Sequence, residues 1–497
     1  MGNFNRGNGM TRTWVVFLMF WVAAVALPAQ TFTKLHTFQG TDGGSPNAGM
    51  VQATNGDLYG TTSYGGDTDN NTGTIFKISA SGKFTSLYRF CSQTGCTEGE
   101  NPFSVLVQGG NGSFYGTTLY GGAGDTCVGN QGCGTAFKIS PSGQFTSLYS
   151  FCTQSNCADG EFPSGGLALG ADGSLYGVTS SGGPTAGCPN GCGTVFKITP
   201  GGKLTILHDF CSESECVDGV GPDAALLLGR DGNFYGTTTG GGNAGRGVAF
   251  KIAPQGNLTV LYNFCAQSNC TDGLSPEATL AQGSDGNFYG STTGGGTNSR
   301  GTLFQLTPSG VLTTLYNFCS LSGCSDGNLP SALIQATDGN FYAVTQTGGV
   351  STGEGTIFKI TSGGVFTTLY EFCPRNGCLD GVHPLAALVQ DTNGTLYGAT
   401  SAGGAVGHGT VFSFSVGLGP FVETEPASGA VGAAVKILGT NLTGTTNVEF
   451  NGTAATFTVI SSSEITTTVP TGATTGTVQV VTPAGTLSGN VPFRVTP

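Results

Sequence analysis

Few side chains in this 497-residue sequence could do chemistry, and those few recur at a regular spacing. Seven acids come first: Asp42, Glu98, Asp159, Asp218, Asp272, Asp326 and Asp380. Each is followed by Gly and, three residues after that, by Pro. A carboxylate in that setting caps its own turn, with Gly and Pro fixing the backbone. It could instead present a polar rim to a glycan or a cation. Calcium is the ion such acids would suit, but it needs about six to eight oxygens converging on one point. One acid per repeat does not supply them, so no cofactor is expected and calcium stays the alternative.

Sixteen cysteines fall in neighbouring pairs. Six pairs share the loops of the acids: Cys91 with Cys96, Cys152 with Cys157, Cys211 with Cys216, Cys265 with Cys270, Cys319 with Cys324, and Cys373 with Cys378. Two more, Cys127 with Cys133 and Cys188 with Cys192, lie elsewhere. Disulfides within each loop would stiffen long connections in an oxidising compartment. The rival reading is zinc. The pairs lack a Cys-x2-Cys knuckle and recur once per repeat, far apart, so no metal site is expected. The four histidines, His36, His208, His383 and His408, occupy unrelated positions. No His-Glu-x-x-His, Gly-x-Ser-x-Gly or phosphate loop occurs. Asp125, Glu161, Asp223 and Glu354 are scattered outside the pattern. A glycosidase needs two carboxylates about 5–10 Å apart, and nothing in the spacing brings a pair together. No catalytic residue is expected.

These loops hang on a repeat. A Leu/Phe-Tyr-Gly/Ala core recurs at Tyr59, Tyr115, Tyr176, Tyr235, Tyr289, Tyr342 and Tyr397. Each copy holds four segments. Segment A is a short apolar run, such as Ser104 to Gln108 or Ala224 to Leu228. Segment B is of the Tyr-Gly-Thr-Thr type, C of the Gly-Thr-x-Phe-Lys-Ile type, and D of the Leu-Thr-x-Leu-Tyr-x-Phe type. Asn-Gly or Asp-Gly joins A to B in every copy, which suits tight hairpins. Each copy is therefore an antiparallel meander. The array opens with a lone D segment, Thr31 to Phe38, and closes with A, B and C, ending at Ser415. The first residues would supply the missing last strand and remove the open edge. The expected fold is all-β: a seven-bladed β-propeller of four-stranded blades over 31–416, its N-terminal strand closing the last blade. The repeated Tyr then serves packing between blades, with sugar stacking as the rival use. The B–C and D–A loops share one face, and that face with the channel mouth is the expected site.

Charge and ends narrow the setting. Lys+Arg number 17 and Asp+Glu 29, for a net charge of −12. This acidic balance argues against nucleic acid and anionic membranes. Arg6 and Arg12 precede an apolar run, Trp14 to Leu27, and then Pro28-Ala29-Gln30. That order predicts a secretory signal peptide over 1–30, with no membrane span once it is removed.

The repeat elements Gly-Thr-x-Phe-Lys-Ile/Leu, Asp-Gly-x-Phe-Tyr-Gly-Thr-Thr and Gly-Gly resemble the bacterial Gloeo/Verruco tandem-repeat family. The resemblance implies export and the repeat form, but no activity. Residues 419–497 resemble an IPT/TIG domain, which implies an immunoglobulin-like β-sandwich. The matching stretches are Pro426-x-Ser428-Gly429, Val435 to Leu442, Val448 to Gly452, Ile465 to Pro470 and Phe493 to Val495. Such domains serve as spacers or binding modules. The expected product is a secreted or cell-surface protein, non-catalytic, that adheres to a polysaccharide or a surface protein. The alternatives are an extracellular carbohydrate-active enzyme and a structural envelope component. Neither ligand nor oligomeric state follows from the sequence.

Overall fold

The computed structural model describes residues 2, 30–66, 72–123, 127, 132–184, 187–350, 353–374 and 377–496. Apart from Gly2 and Gln30, the expected signal peptide lies outside these residues, as does Asp125. The described residues form strands, turns and a few single-turn 3-10 segments. None of their helices is long and apolar enough to cross a membrane.

Residues 31–415 build seven antiparallel sheets in chain order. The fourth is representative: Leu227–Leu228, Phe234–Thr237, Val248–Ile252 and Leu258–Asn263 pair in sequence as A, B, C and D. The sixth gains a short strand, Asn328–Pro330, beside Phe341–Thr347. The seventh takes Thr31–Thr37 onto Thr410–Ser415, so its outer strand comes from the start of the array.

Segment B is buried on both faces. Its Tyr reaches the neighbouring sheet: Tyr59 stacks on Phe114 with ring centroids 4.1 Å apart, and Tyr289 on Phe341 at 4.0 Å. The Gly after the Tyr makes room for the Phe of segment C. A Cβ on Gly177 would lie 2.5 Å from Phe196 Cζ. In the Asp/Asn-Gly turns only the Gly takes the left-handed backbone, as Gly232 does at φ 85°. The Asp accepts the backbone N–H two residues on and the Tyr hydroxyl of segment B, 2.8 Å for Tyr235 to Asp231 Oδ2.

Segment A is shorter than its apolar run. Only Val107–Gln108 and Leu227–Leu228 remain of the expected strands. The residues before them crowd the neighbouring sheet, and a Cβ on Gly49 would meet Ala387 O at 3.1 Å. That crowding takes them out of the ladder.

Each sheet packs on the next, and the first packs on the last. The Gln390 side chain accepts the backbone N–H of Thr337 at 3.1 Å, linking the seventh sheet to the sixth. Gln52 does the same for Thr392 at 2.9 Å, linking the first sheet to the seventh. The ring of contacts is therefore closed.

Residues 423–496 form two further four-stranded sheets and a short parallel pair, Ser428–Ala430 with Arg494–Thr496. Val435, Ile437, Val448, Phe450, Ile465 and Phe493 share one core between them. This part rests on the A–B turns. Ser463 Oγ donates to Thr54 O at 3.0 Å, and Thr440 and Thr392 hydroxyls meet at 3.0 Å. Arg494 lies against Gly232, in the fourth sheet. The contacts thus reach from the first and seventh sheets across to the fourth.

Candidate functional site

Every loop acid serves its own loop. Asp326 Oδ2 accepts from the Tyr316 hydroxyl at 2.7 Å, Ser320 N at 2.8 Å and Ser320 Oγ at 2.9 Å. Asp159, Asp272 and Asp380 repeat this with Tyr149, Tyr262 and Tyr370. Glu98 accepts from Ser92 Oγ and Gln93 N. Asp42 and Asp218 take a ring nitrogen instead, from His36 at 2.9 Å and His208 at 3.0 Å. This corrects one expectation: His36 and His208 are not at unrelated positions. Both stand where segment D otherwise carries Tyr. Burial raises the Asp218 pKa, but bonds from His208 and Ser212 outweigh it and leave the value low. Glu98, Asp159, Asp218, Asp272 and Asp326 are buried, and none of the seven acids joins a cluster of metal-ligating groups among the described residues.

All eight cysteine pairs are disulfides. Cys91 bonds Cys96, Cys152 bonds Cys157, and Cys211 bonds Cys216. Cys265 bonds Cys270, Cys319 bonds Cys324, and Cys373 bonds Cys378. The two pairs outside the acid loops, Cys127 with Cys133 and Cys188 with Cys192, are bridged as well. The bridges differ in their surroundings, which corrects the expectation that the pairs stand far apart. Cys127, Cys133, Cys152, Cys157 and Glu161 lie within 4.8 Å of one another, as do Cys192, Cys211 and Cys216, and Cys91, Cys96 and Glu100. The two extra pairs sit against the loop bridges of the same copies. Cys270, Cys324 and Cys378, with their partners, join no such cluster among the described residues. Their copies carry no second cysteine pair, so each of these bridges staples its own loop. In every case the bridged sulfurs offer no thiolate, the form in which cysteine binds metal.

The inner strands enclose a cavity of about 1230 Å³. Its mouth lies on the face of the B–C and D–A loops. There the residue after each loop Pro forms a ring: Asn47, Phe103, Ser164, Asp223, Glu277, Ser331 and Leu385. Aromatic rings occupy one arc. Phe103 is 45% exposed, and Tyr120 meets Phe162 edge-on at 5.7 Å. Carboxyls occupy the next arc. Asp223 accepts from Ser164 Oγ at 3.0 Å and Glu277 from Thr293 Oγ1 at 3.2 Å. Burial raises both pKa values, and the Asp223 charge raises Glu277 further. Asp223 is therefore not a scattered acid but one of a pair in adjacent sheets. The sequence does carry a signal for it: this position varies where the Pro before it does not. No Lys, Arg or His is among the described residues lining the cavity.

The far end of the cavity is lined by Glu423 and Asn490 of the C-terminal part. Burial, then the Asp391 charge, pushes Glu423 up to about 7. Asn490 Oδ1 is buried without a partner.

The sequence matches the Gloeobacter/Verrucomicrobia repeat over residues 21–187, 127–325 and 265–458. The chain belongs to that family. An IPT/TIG domain matches residues 422–495, so this family member carries a TIG domain after its repeats. No curated protein matches it. Many solved structures are similar over most of the chain, two of them over more than nine tenths. One is a fungal alcohol oxidase of the AA5 family in complex with copper: 13% identity, 94% of this chain, 99% of that one, TM-score 0.49. The other is PorZ, a surface component of the type-IX secretion system of Porphyromonas gingivalis: 13% identity, 91% of this chain, 60% of that one, TM-score 0.48. Likeness at this level carries no activity across.

Proposed function

We propose that this family member is an exported, non-catalytic binding protein that takes a polysaccharide at the mouth of its central cavity. In this reading residues 31–416 are a closed seven-bladed β-propeller and residues 419–497 an immunoglobulin-like β-sandwich. Residues 1–30 are a signal peptide, and the protein works outside the cell or on its surface. The eight disulfides favour an oxidising compartment. The loop acids staple loops rather than hold calcium, since each accepts from its own loop through at least one oxygen and stands in a different loop.

The observation that carries the glycan is the mouth itself. Phe103, Tyr120 and Phe162 offer ring faces and edges to the apolar side of a sugar, while Asp223, Glu277 and Asn47 offer acceptors for its hydroxyls. A well lined by carboxyls, with no cation among the described residues that line it, disfavours anionic polymers.

One observation favours a second reading, glycoside hydrolysis. Asp223 and Glu277 face the same well from adjacent sheets, as the two carboxyls of a glycosidase do, and burial holds a proton on either more readily than on a free carboxyl. Native gels containing different neutral and acidic polysaccharides separate these. Retardation by a neutral polymer that stays intact supports binding alone. Shortening of the polymer, lost in Glu277→Gln, supports the enzyme. Unchanged mobility in every gel removes both and leaves a structural envelope role.

A further inference from the structure

The C-terminal domain stands at the lower end of the cavity. It is anchored at Thr54 and Thr392 on one side and reaches Gly232 on the other. Two of its residues, Glu423 and Asn490, complete the lining. At about 1230 Å³ the well exceeds the roughly 300–1,000 Å³ of ordinary ligand pockets. That is room for a short run of sugars.

We propose that the C-terminal domain is the floor of the binding site: the well admits the end of a sugar chain, and Asn490 and Glu423 bond the hydroxyls of the buried terminal sugar. The inference rests on the glycan reading above and adds to it the domain's role and the mode of binding. Asn490 Oδ1 is an acceptor that the folded protein leaves unpaired. A buried acceptor without a donor is costly, so a turn of the Asn490 side chain that brought Oδ1 to a sugar hydroxyl would be favoured. Burial pushes the Glu423 pKa up to about 7, so a protonated carboxyl, which both donates and accepts, is well populated near neutral pH. A hydroxyl, which also does both, is its natural partner. The TIG domain is then part of the recognition surface and not a spacer.

The test is calorimetric titration of the full chain with cello-, xylo-, malto- and chito-oligosaccharides of increasing length, and with the matching soluble polymers. Affinity should rise over the first few sugars and then level off, because the well has a floor. Each polymer chain should bind on the order of one protein, whatever its length. Asn490→Ala and Glu423→Ala should each weaken binding by about tenfold or more. Glu423→Gln, which still donates and accepts, should stay near wild type, and so separates lost contact from lost fold. Asn490→Asp keeps the shape and still accepts, so retained binding there together with loss in Asn490→Ala also supports the floor. Floor variants that bind like wild type while Phe103→Ala fails would overturn this inference and leave the glycan reading standing. Many proteins bound along one polymer chain would do the same. A wild-type chain that titrates with none of these sugars overturns the glycan reading and this inference together.

Discussion

Tyr316, Asp326 and Ser320 form a unit in which a buried carboxylate meets a phenol, a hydroxyl and a backbone N–H. Bonds to a charged acceptor are worth about 1.5–3 kcal/mol each when the acceptor is buried. Tyr316→Phe removes one of them, and we expect a loss near the lower end, about 1.5 kcal/mol, read from urea denaturation. The acids, the cysteines and the Asp-Gly turns were all legible, because each recurs in nearly every copy. Their partners were legible only in part. His36 and His208 align with the segment D Tyr, but the shared bond to an acid shows only in three dimensions. The cysteine pairing was readable from the loop spacing, whereas the approach of Cys127 and Cys133 to the Cys152–Cys157 bridge was not, since it joins two loops. Asp223 and Glu277 were missed as a pair because they lie 54 residues apart and stand at a position that does not repeat. A residue that differs between copies carries no periodic signal, yet function on a ring of equal units depends on such differences.

Sheets are held to one another by segment B. Phe341 is fully buried and stacks on Tyr289 of the preceding sheet. Phe341→Ala should cost about 3–5 kcal/mol, measured as a shift of the thermal midpoint. The strand Thr31–Thr37 closes the seventh sheet, and Phe32 stacks on Tyr370 of the sixth with centroids 4.4 Å apart. Phe32 is only partly buried, so Phe32→Ala should cost less, about 2 kcal/mol. Hydrogen exchange should then show the loss concentrated in Thr410–Ser415 and the strand paired with it. The four-segment meander and this shared strand were readable from the repeat, since turn residues and alternation set both. The shortness of segment A was not. Its apolar run reads as a full strand, and only the crowding of neighbouring sheets ends the pairing early.

At the scale of the molecule, Glu423 stands where the two parts meet, beside Asp391 of the seventh sheet, and Glu425 follows it in the same strand. Burial first, and neighbouring charge second, pushes Glu423 up to about 7; Glu425 is likewise held at about 7, with Lys436 opposing. The ordinary value is 4.5. A carboxyl raised on folding contributes its stability fully below the unfolded value and loses it as pH rises through the folded one. The thermal midpoint should therefore fall between about pH 5 and pH 8, by on the order of 2 kcal/mol in stability. Glu425→Gln should flatten that slope; an unchanged slope would place the effect elsewhere. The repeats and the TIG match that follows them were legible from motif. Their contact was not, because Ser463, Thr440 and Arg494 belong to no motif and meet turns that look alike in every copy.

The central claim is that the cavity mouth binds glycan, and the mobility of mouth variants in polysaccharide gels tests it most directly. Wild type, Phe103→Ala, the pair Asp223→Asn with Glu277→Gln, and Val311→Ala should run side by side. Val311 is 61% exposed in a C–D turn on the opposite face, so its variant serves as the control. The account predicts retardation of wild type and Val311→Ala by one neutral polymer, with loss of retardation in both mouth variants. Equal retardation of all four proteins, or none of any, would contradict it.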